Sequence, residues 1–309
     1  MSGRSPDALL AAARDGDRAA LGRLLTLVER GDAPAIRADD TSYTVGITGA
    51  PGAGKSTLTA ALIGHLRASG TPVAVLAIDP SSPFTGGAIL GDRVRMQHHS
   101  TDPGVYIRSM ATRGHLGGLS LAAPAALRVL GAAGYPIVLV ETVGVGQVEV
   151  EVAAKADTTV VVVNPGWGDE IQAAKAGLLE IADVFVVNKA DRPGASDTQA
   201  DLERMLMLGP SPGGEDWRPP VVPTVATNGD GIAAMWAAVD GHRTAMTATG
   251  ELDRRRRHRR GEELRQAILA ELERRARELA GDARWSEVEA QVLDGTLDPR
   301  AAAARLLSE

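Results

Sequence analysis

Residues 49–57, GAPGAGKST, join small residues, one lysine and two hydroxyls in a spacing that can hold a phosphate. Gly49-x4-Gly54-Lys55-Ser56 is the P-loop pattern, set between an apolar run and a helix-compatible stretch. Glycine is a poor strand and helix former. Its recurrence here, with Gly52 between, points to a loop whose N–H groups turn inward as an anion nest. Ala50, Pro51 and Ala53 fill the intervening positions, and Thr57 follows Ser56. A helix starting near Lys55 adds its positive end. Lys55 supplies a mobile charge for the β- and γ-phosphates of a nucleoside triphosphate, and the Ser56 hydroxyl is placed to ligate Mg²⁺.

The apolar run VFVVNKAD ends in Asn188-Lys189-x-Asp191. A carboxylate at Asp191 can accept from guanine's ring N–H and exocyclic amine together. Adenine lacks that donor pair and would leave the carboxylate desolvated without its partners. Asn188 and Lys189 are expected to brace the base and the phosphate loop, so the loop is read as belonging to GTP. ATNGDGI follows the last strand-like run and places Ala226 in a further base-contacting loop.

Carboxylates at the ends of other runs are candidates for hydrolysis. Glu141 ends IVLVET, and Gly144 three residues later is a natural γ-phosphate sensor. Val145 stands where a water-positioning glutamine would serve, and Gln147 lies two residues further on, so intrinsic turnover is expected to be slow and accelerated by a partner. Asp79 ends VAVLAID; Asp92 sits in SSPFTGGAILGDRVRM, ahead of Arg93 and Arg95. NPGWGDEIQAAKAG, with Asp169, Glu170 and Lys175, reads as a third loop near the nucleotide. Adjacent His98 and His99 are read as a surface pair, since no cysteine assists them and neighbouring helical residues diverge.

These groups need a scaffold. TVGITG, VAVLAID, VYIRS, IVLVET, TTVVVV, VFVVNK and VVPTVA recur as short β-branched runs, mostly apolar throughout, as strands covered on both faces are. Helical stretches at 55–69 and 119–133 alternate with them, which implies an open, mostly parallel α/β sheet with ligands beyond its carboxyl ends. Residues 1–40 read as an N-terminal helical extension: Ser5–Pro6 caps a helix, Gly16 breaks it, and Leu21, Leu24, Leu25 and Val28 form a second stripe. Residues 41–245 form the nucleotide-binding domain. Residues 246–309 are helix-compatible, and Leu264, Ile268, Leu272, Ala276 and Leu279 make a stripe that must be buried against its own domain or a second copy. The basic run at 254–260 is expected to be a solvated helix face.

Composition narrows the class. The 309 residues carry a net charge of −6 and no cysteine, which argues against a general nucleic-acid binder and rules out thiolate chemistry. With mean hydropathy of −0.05 and no apolar run of spanning length, the expectation is a cytoplasmic protein without a membrane segment.

Taken together, GITGAPGAGKSTL, VAVLAIDPSSPFTGGAILGDRVRM, YIRSMATRGHLGGLS, VLVETVGVGQVEVEVA, GDEIQAAKAGLLEIADVFVVNKAD and GTLDPRAAAARLL resemble the MeaB/ArgK-type GTPases, the G-protein chaperones of adenosylcobalamin-dependent acyl-CoA mutases. The resemblance implies a P-loop NTPase of the G3E/SIMIBI type with N- and C-terminal helical extensions. It implies GTP hydrolysis coupled to protecting the mutase, with methylmalonyl-CoA mutase the best-known client, and to gating its cobalamin loading. Asp79, Asp92 and Glu141 would be the magnesium-linked acids; Asn188, Lys189 and Asp191 would bind guanine. The stretches at 92–95, 141–147 and 169–175 would be the three switches, the last facing the client, and the helical C-terminus a homodimerisation arm. Two other readings compete: a nickel-enzyme metallochaperone GTPase, lacking here the usual cysteine and histidine clusters, and an ArgK-type kinase acting on transport proteins.

Overall fold

The apolar runs become one sheet. In the computed structural model, which describes residues 5–31, 42–79, 96–111, 118–142, 156–166, 180–208, 217–279 and 283–307, seven strands pair: β1 (Tyr43–Gly49), β2 (Val73–Asp79), β3 (Val105–Ala111), β4 (Ile137–Thr142), β5 (Thr158–Val163), β6 (Val184–Asn188) and β7 (Val221–Thr224). Their order is β3-β2-β4-β1-β5-β6-β7, and every pairing is parallel. The described helices are α1 (Pro6–Arg14), α2 (Arg18–Arg30), α3 (Lys55–Ala68), α4 (Gly118–Ala132), α5 (Ala195–Leu208), α6 (Ile232–Ala248), α7 (Glu251–Leu279), α8 (Ala283–Leu293) and α9 (Pro299–Leu307).

Alternation along the strands splits the core into two layers. Val45 and Ile47 of β1, Val73 and Val75 of β2 and Leu139 of β4 pack with Leu58, Leu62 and Ile63 of α3. The intervening residues Ala74, Leu76, Val138 and Val140 face the other way and pack with Leu21, Leu24 and Leu25 of α2 and with Leu130 of α4. Ser5 caps α1 by accepting the Ala8 N–H, and Asp17 caps α2 by accepting those of Ala19 and Ala20. The α3 layer matters most for function, because it lays the start of α3 over the carboxyl ends of β1 and β4.

The basic run at 254–260 is a solvated face only in part: Arg254, Arg257 and His258 are exposed, whereas Arg255, Arg256 and Arg259 turn to the sheet. At the opposite, amino-terminal edge of the sheet, two buried aspartates precede adjacent strands. Asp157 accepts the Thr44 N–H at 3.0 Å, and Asp183 accepts the Thr159 N–H at 2.8 Å. Each supplies an acceptor to a strand N–H at that edge. Arg256 bonds Asp157 through Nε at 3.0 Å and Nη2 at 2.6 Å, Arg259 also binds Asp157, and Arg255 reaches Asp183 at 3.0 Å. Asp157 is only 2% exposed, so its charge requires partners, and the first turns of α7 provide them. The signal was present in sequence: Ala-Asp precedes both TTVVVV and VFVVN.

Burial alone would raise the Asp157 carboxyl, but the Arg256 hydrogen bonds and the Arg259 and Arg256 charges outweigh it and hold it below the usual range. Asp183 is likewise lowered against its burial by His242 and Arg255.

The chain divides into two compact units, Met1–Arg259 and Arg260–Glu309. In the second, α8 and α9 pack around Val288 and Ala302, and Asp298 caps α9 through the Arg300 and Ala301 N–H groups. Leu264, Ile268 and Leu272 are 63%, 51% and 55% exposed. No helix among the described residues is long and apolar enough to cross a membrane.

Replacing Arg256 and Arg259 together by alanine strands a buried carboxylate, and urea denaturation should show a loss of about 3–5 kcal/mol. Because the folded-state pKa values of Asp157 and Asp183 are depressed, their contribution is fully present above the ordinary value of 3.8 and is lost as pH falls through the lower folded values. Acid titration of the double variant should show a shallower fall in stability below about pH 4 than the parent chain.

Candidate functional site

The phosphate-loop residues connect β1 to α3, as the spacing requires. Gly49 has φ 139°, and a Cβ there would lie 1.9 Å from the Val162 carbonyl oxygen of β5. Gly54, at φ 93°, caps α3, and its Cβ would come within 2.4 Å of the Asn188 amide nitrogen. Both positions therefore exclude any side chain. Between them Pro51 and Gly52 are exposed, while Ala50 and Ala53 are buried. Lys55 and Ser56 open α3 and are 7% and 5% exposed. The Lys55 ammonium donates to the carbonyls of Gly49 at 2.8 Å and Ala50 at 3.2 Å, which folds it back over the loop. Thr57 is half-buried on the same turn.

Asn188, at the carboxyl end of β6 and 2% exposed, joins this loop to two other elements. Its Nδ2 donates to the Ala53 carbonyl at 2.8 Å. Its Oδ1 accepts from the Thr224 hydroxyl at 3.2 Å and from the Ala226 N–H at 3.1 Å. A carbonyl can only accept and an amide N–H can only donate, so these partners fix the orientation of the side-chain amide. Lys189 donates to the Gly52 carbonyl at 2.6 Å. Among the described residues it alone, other than glycines, has positive φ, 60°. Such strain persists where surrounding structure imposes it; the backbone here is held by the Ala190 N–H bond to the Thr224 carbonyl and the Arg192 N–H bond to the Lys189 carbonyl. Asp191 is exposed two residues further on.

The sheet gathers Asn188, Lys189, Asp191, Ala226 and the loop at 49–57 at one edge. Thr224, the hydroxyl that holds Asn188, was not legible in sequence; a hydroxyl two residues before Ala226, at the end of the last strand-like run, was its only trace. Beside these residues a cavity of about 660 Å³ is lined by Thr57, Ala60, His98, Ala226 and Thr227, within the size range of small-molecule sites.

Glu141 of β4 is fully buried and in register with Ile47 of β1 and Ala77 of β2. It thus shares the sheet face that carries α3. The hydroxyl of Thr142, the next residue, donates to that of Thr48 at 3.0 Å, tying the end of β4 to β1 just before the phosphate loop. Asp79 ends β2, in register with Ala111 of β3. Asp92, Arg93, Arg95, Gly144, Val145, Gln147, Asp169, Glu170 and Lys175 lie outside the described residues. Of the histidine pair, His98 is exposed, whereas His99 is half-buried and its Nε2 lies 2.9 Å from the Ala60 carbonyl of α3. Burial pushes the His99 imidazole below its ordinary pKa.

A phosphate loop tied by asparagine and lysine to a strand end that carries an aspartate is the geometry of a guanine-nucleotide P-loop protein. Residues 21–280 match the family model described as methylmalonyl Co-A mutase-associated GTPase MeaB. The chain belongs to the MeaB family. It is a GTPase. A relative from Pyrococcus abyssi, named as a GTPase, is 48% identical across 98% of this chain and 96% of its own length. The mitochondrial methylmalonic aciduria type A homolog of Mus musculus is 40% identical over 70% of this chain and 52% of that protein. Among solved structures, the crystal structure of an LAO/AO transport system kinase superposes with a TM-score of 0.69 at 28% identity, covering 99% of this chain and 97% of the other. The parallel sheet and P-loop thus place this MeaB-family chain among the P-loop GTPases.

Asn188→Ala removes a buried amide that three partners need. GTP titrated calorimetrically into this variant should bind at least about tenfold more weakly than into the parent, since each abandoned buried partner costs about 1–3 kcal/mol.

Proposed function

We propose that this MeaB-family GTPase is a chaperone of an adenosylcobalamin-dependent acyl-CoA mutase, with methylmalonyl-CoA mutase the favoured client, and that its GTP cycle gates cofactor loading and protects the mutase. The family description and the name of the mouse relative support the client's class. The observation that carries the nucleotide half of the reading is the Asn188 link between the phosphate loop, the strand end leading to Asp191 and the loop at Ala226.

In this reading residues 49–57 cradle the phosphates with their N–H groups, and Lys55 leaves the Gly49 and Ala50 carbonyls to meet the γ-phosphate. Asp191 accepts the paired donors of guanine. Lys189 lays its stem along the base, and Ala226 presents backbone to it. Mg²⁺, when bound, neutralises charge on the β- and γ-phosphates. The donors present suit such a hard cation: the Ser56 hydroxyl at the start of α3 and the Glu141 carboxylate on the same sheet face, with Asp79 and Asp92 given the same role by the family resemblance alone. Glu141 and the segment after it would register loss of the γ-phosphate, so a partner that prefers one arrangement is switched by hydrolysis. Residues 1–40, 41–245 and 246–309 serve in this proposal as N-terminal extension, GTPase domain and dimerisation arm. The exposed Leu264, Ile268 and Leu272 supply the apolar seam between two copies.

The experiment is turnover with a client. Purified chain, GTP and Mg²⁺ should hydrolyse slowly alone and at least about tenfold faster with the adenosylcobalamin-dependent methylmalonyl-CoA mutase of the same organism, the kind of gain a partner-completed site supplies. An unchanged rate with that mutase and with related acyl-CoA mutases removes the chaperone reading and leaves the GTPase. The likeness to a protein named as a transport system kinase favours a second reading, a kinase of transport proteins. Transfer of label from the γ-phosphate to a protein in the same assay would support it.

A further inference from the structure

The register of the sheet sets a second polar group beside Glu141. Ser109 of β3 is in register with Ala77 of β2, Ala77 with Glu141 of β4, and Glu141 with Ile47 of β1. Residues in register on parallel strands point to the same face. That face is the one α3 covers, since Ile47 packs in the same layer as Leu58 and Leu62. A serine hydroxyl and a buried carboxylate therefore share the surface under the helix whose first turn holds Lys55 and Ser56.

Ser109 Oγ is shut off from solvent and, among the described residues, has no hydrogen-bond partner. A buried hydroxyl in that state is costly, and native structures keep few of them without a use. Between them in the row stands Ala77, whose side chain is a methyl and which is 1% exposed. Two strand spacings separate the Ser109 and Glu141 backbones by about 10 Å. A serine and a glutamate reaching toward each other over a methyl leave room for about one water, which can bond both.

We propose that Ser109 is a positioning residue for Glu141: through one ordered water its hydroxyl holds the carboxylate in the orientation that serves Mg²⁺-bound GTP. The inference rests on the reading of Glu141 as magnesium-linked. It explains why a small hydroxyl residue and a small spacer occupy a row that elsewhere in this layer is filled by branched apolar side chains.

The test reads binding rather than turnover. Affinity for a non-hydrolysable GTP analogue is measured calorimetrically with and without Mg²⁺ for the parent chain and for Ser109→Ala, Ser109→Thr and Glu141→Gln. Ser109→Ala should lose about fivefold of the enhancement that Mg²⁺ confers, the worth of one hydrogen bond. Ser109→Thr should keep the enhancement within about twofold, because the hydroxyl remains. Glu141→Gln should lose at least as much as Ser109→Ala. Without Mg²⁺ the parent chain, Ser109→Ala and Ser109→Thr should bind alike. An unchanged Mg²⁺ enhancement in Ser109→Ala, alongside a loss in Glu141→Gln, overturns the role of Ser109 and leaves Glu141 in place. No loss in Glu141→Gln removes the metal reading itself. An equal loss in Ser109→Thr and Ser109→Ala would assign the effect to shape rather than hydroxyl and overturn the proposal.

Discussion

One buried amide holds the nucleotide edge together. Asn188 gives its N–H to the phosphate loop at Ala53 and takes hydrogen bonds from Thr224 and from the Ala226 backbone. The phosphate loop, Asn188 and the 224–226 stretch lie far apart in sequence and meet because β1, β5, β6 and β7 stand side by side in one parallel sheet. The amide is 2% exposed, so each of its bonds is made in a low dielectric where losing one is expensive. Gly54 belongs to the same constraint, since any side chain there would collide with the Asn188 nitrogen. Lys189 sits at φ 60° and bonds the Gly52 carbonyl of the same loop. In the proposed reading, phosphate and base recognition are therefore set at a common distance by a covalently remote but hydrogen-bonded frame.

The two edges of the sheet do opposite work with similar residues. At the carboxyl edge Glu141 and Asp191 are carboxylates placed, in the proposed reading, for a ligand's chemistry. At the amino edge Asp157 and Asp183 are consumed internally, accepting strand N–H groups and the guanidinium groups of Arg255, Arg256 and Arg259. The first unit ends at Arg259, the last of these arginines. The start of α7 is thus part of the sheet's own stability rather than an appendage.

Much of this was legible in the residues. The seven β-branched runs are the seven strands, and the cap at Ser5, the break at Gly16 and the stripe from Leu21 to Val28 stand where local rules put them. Those features are set by local propensity and periodicity, which a single sequence carries. The phosphate loop and Asn188-Lys189-x-Asp191 were legible as motifs because each has fixed residue types at fixed spacing. The arginine clasp was misread because a charged helical run looks the same whether its partners are water or buried aspartates about a hundred residues away. Thr224 and Ser109 were passed over for a related reason: a hydroxyl acquires meaning only from strand order and register, which are non-local.

The central claim is that the frame around Asn188 presents Asp191 to guanine while the loop at 49–57 holds the phosphates. Titration calorimetry of the purified chain with GTP and with ATP, each with Mg²⁺, tests it most directly. The account predicts GTP bound at least about a hundredfold more tightly, because ATP would leave a desolvated carboxylate without its donors. Equal affinities for the two nucleotides would contradict it.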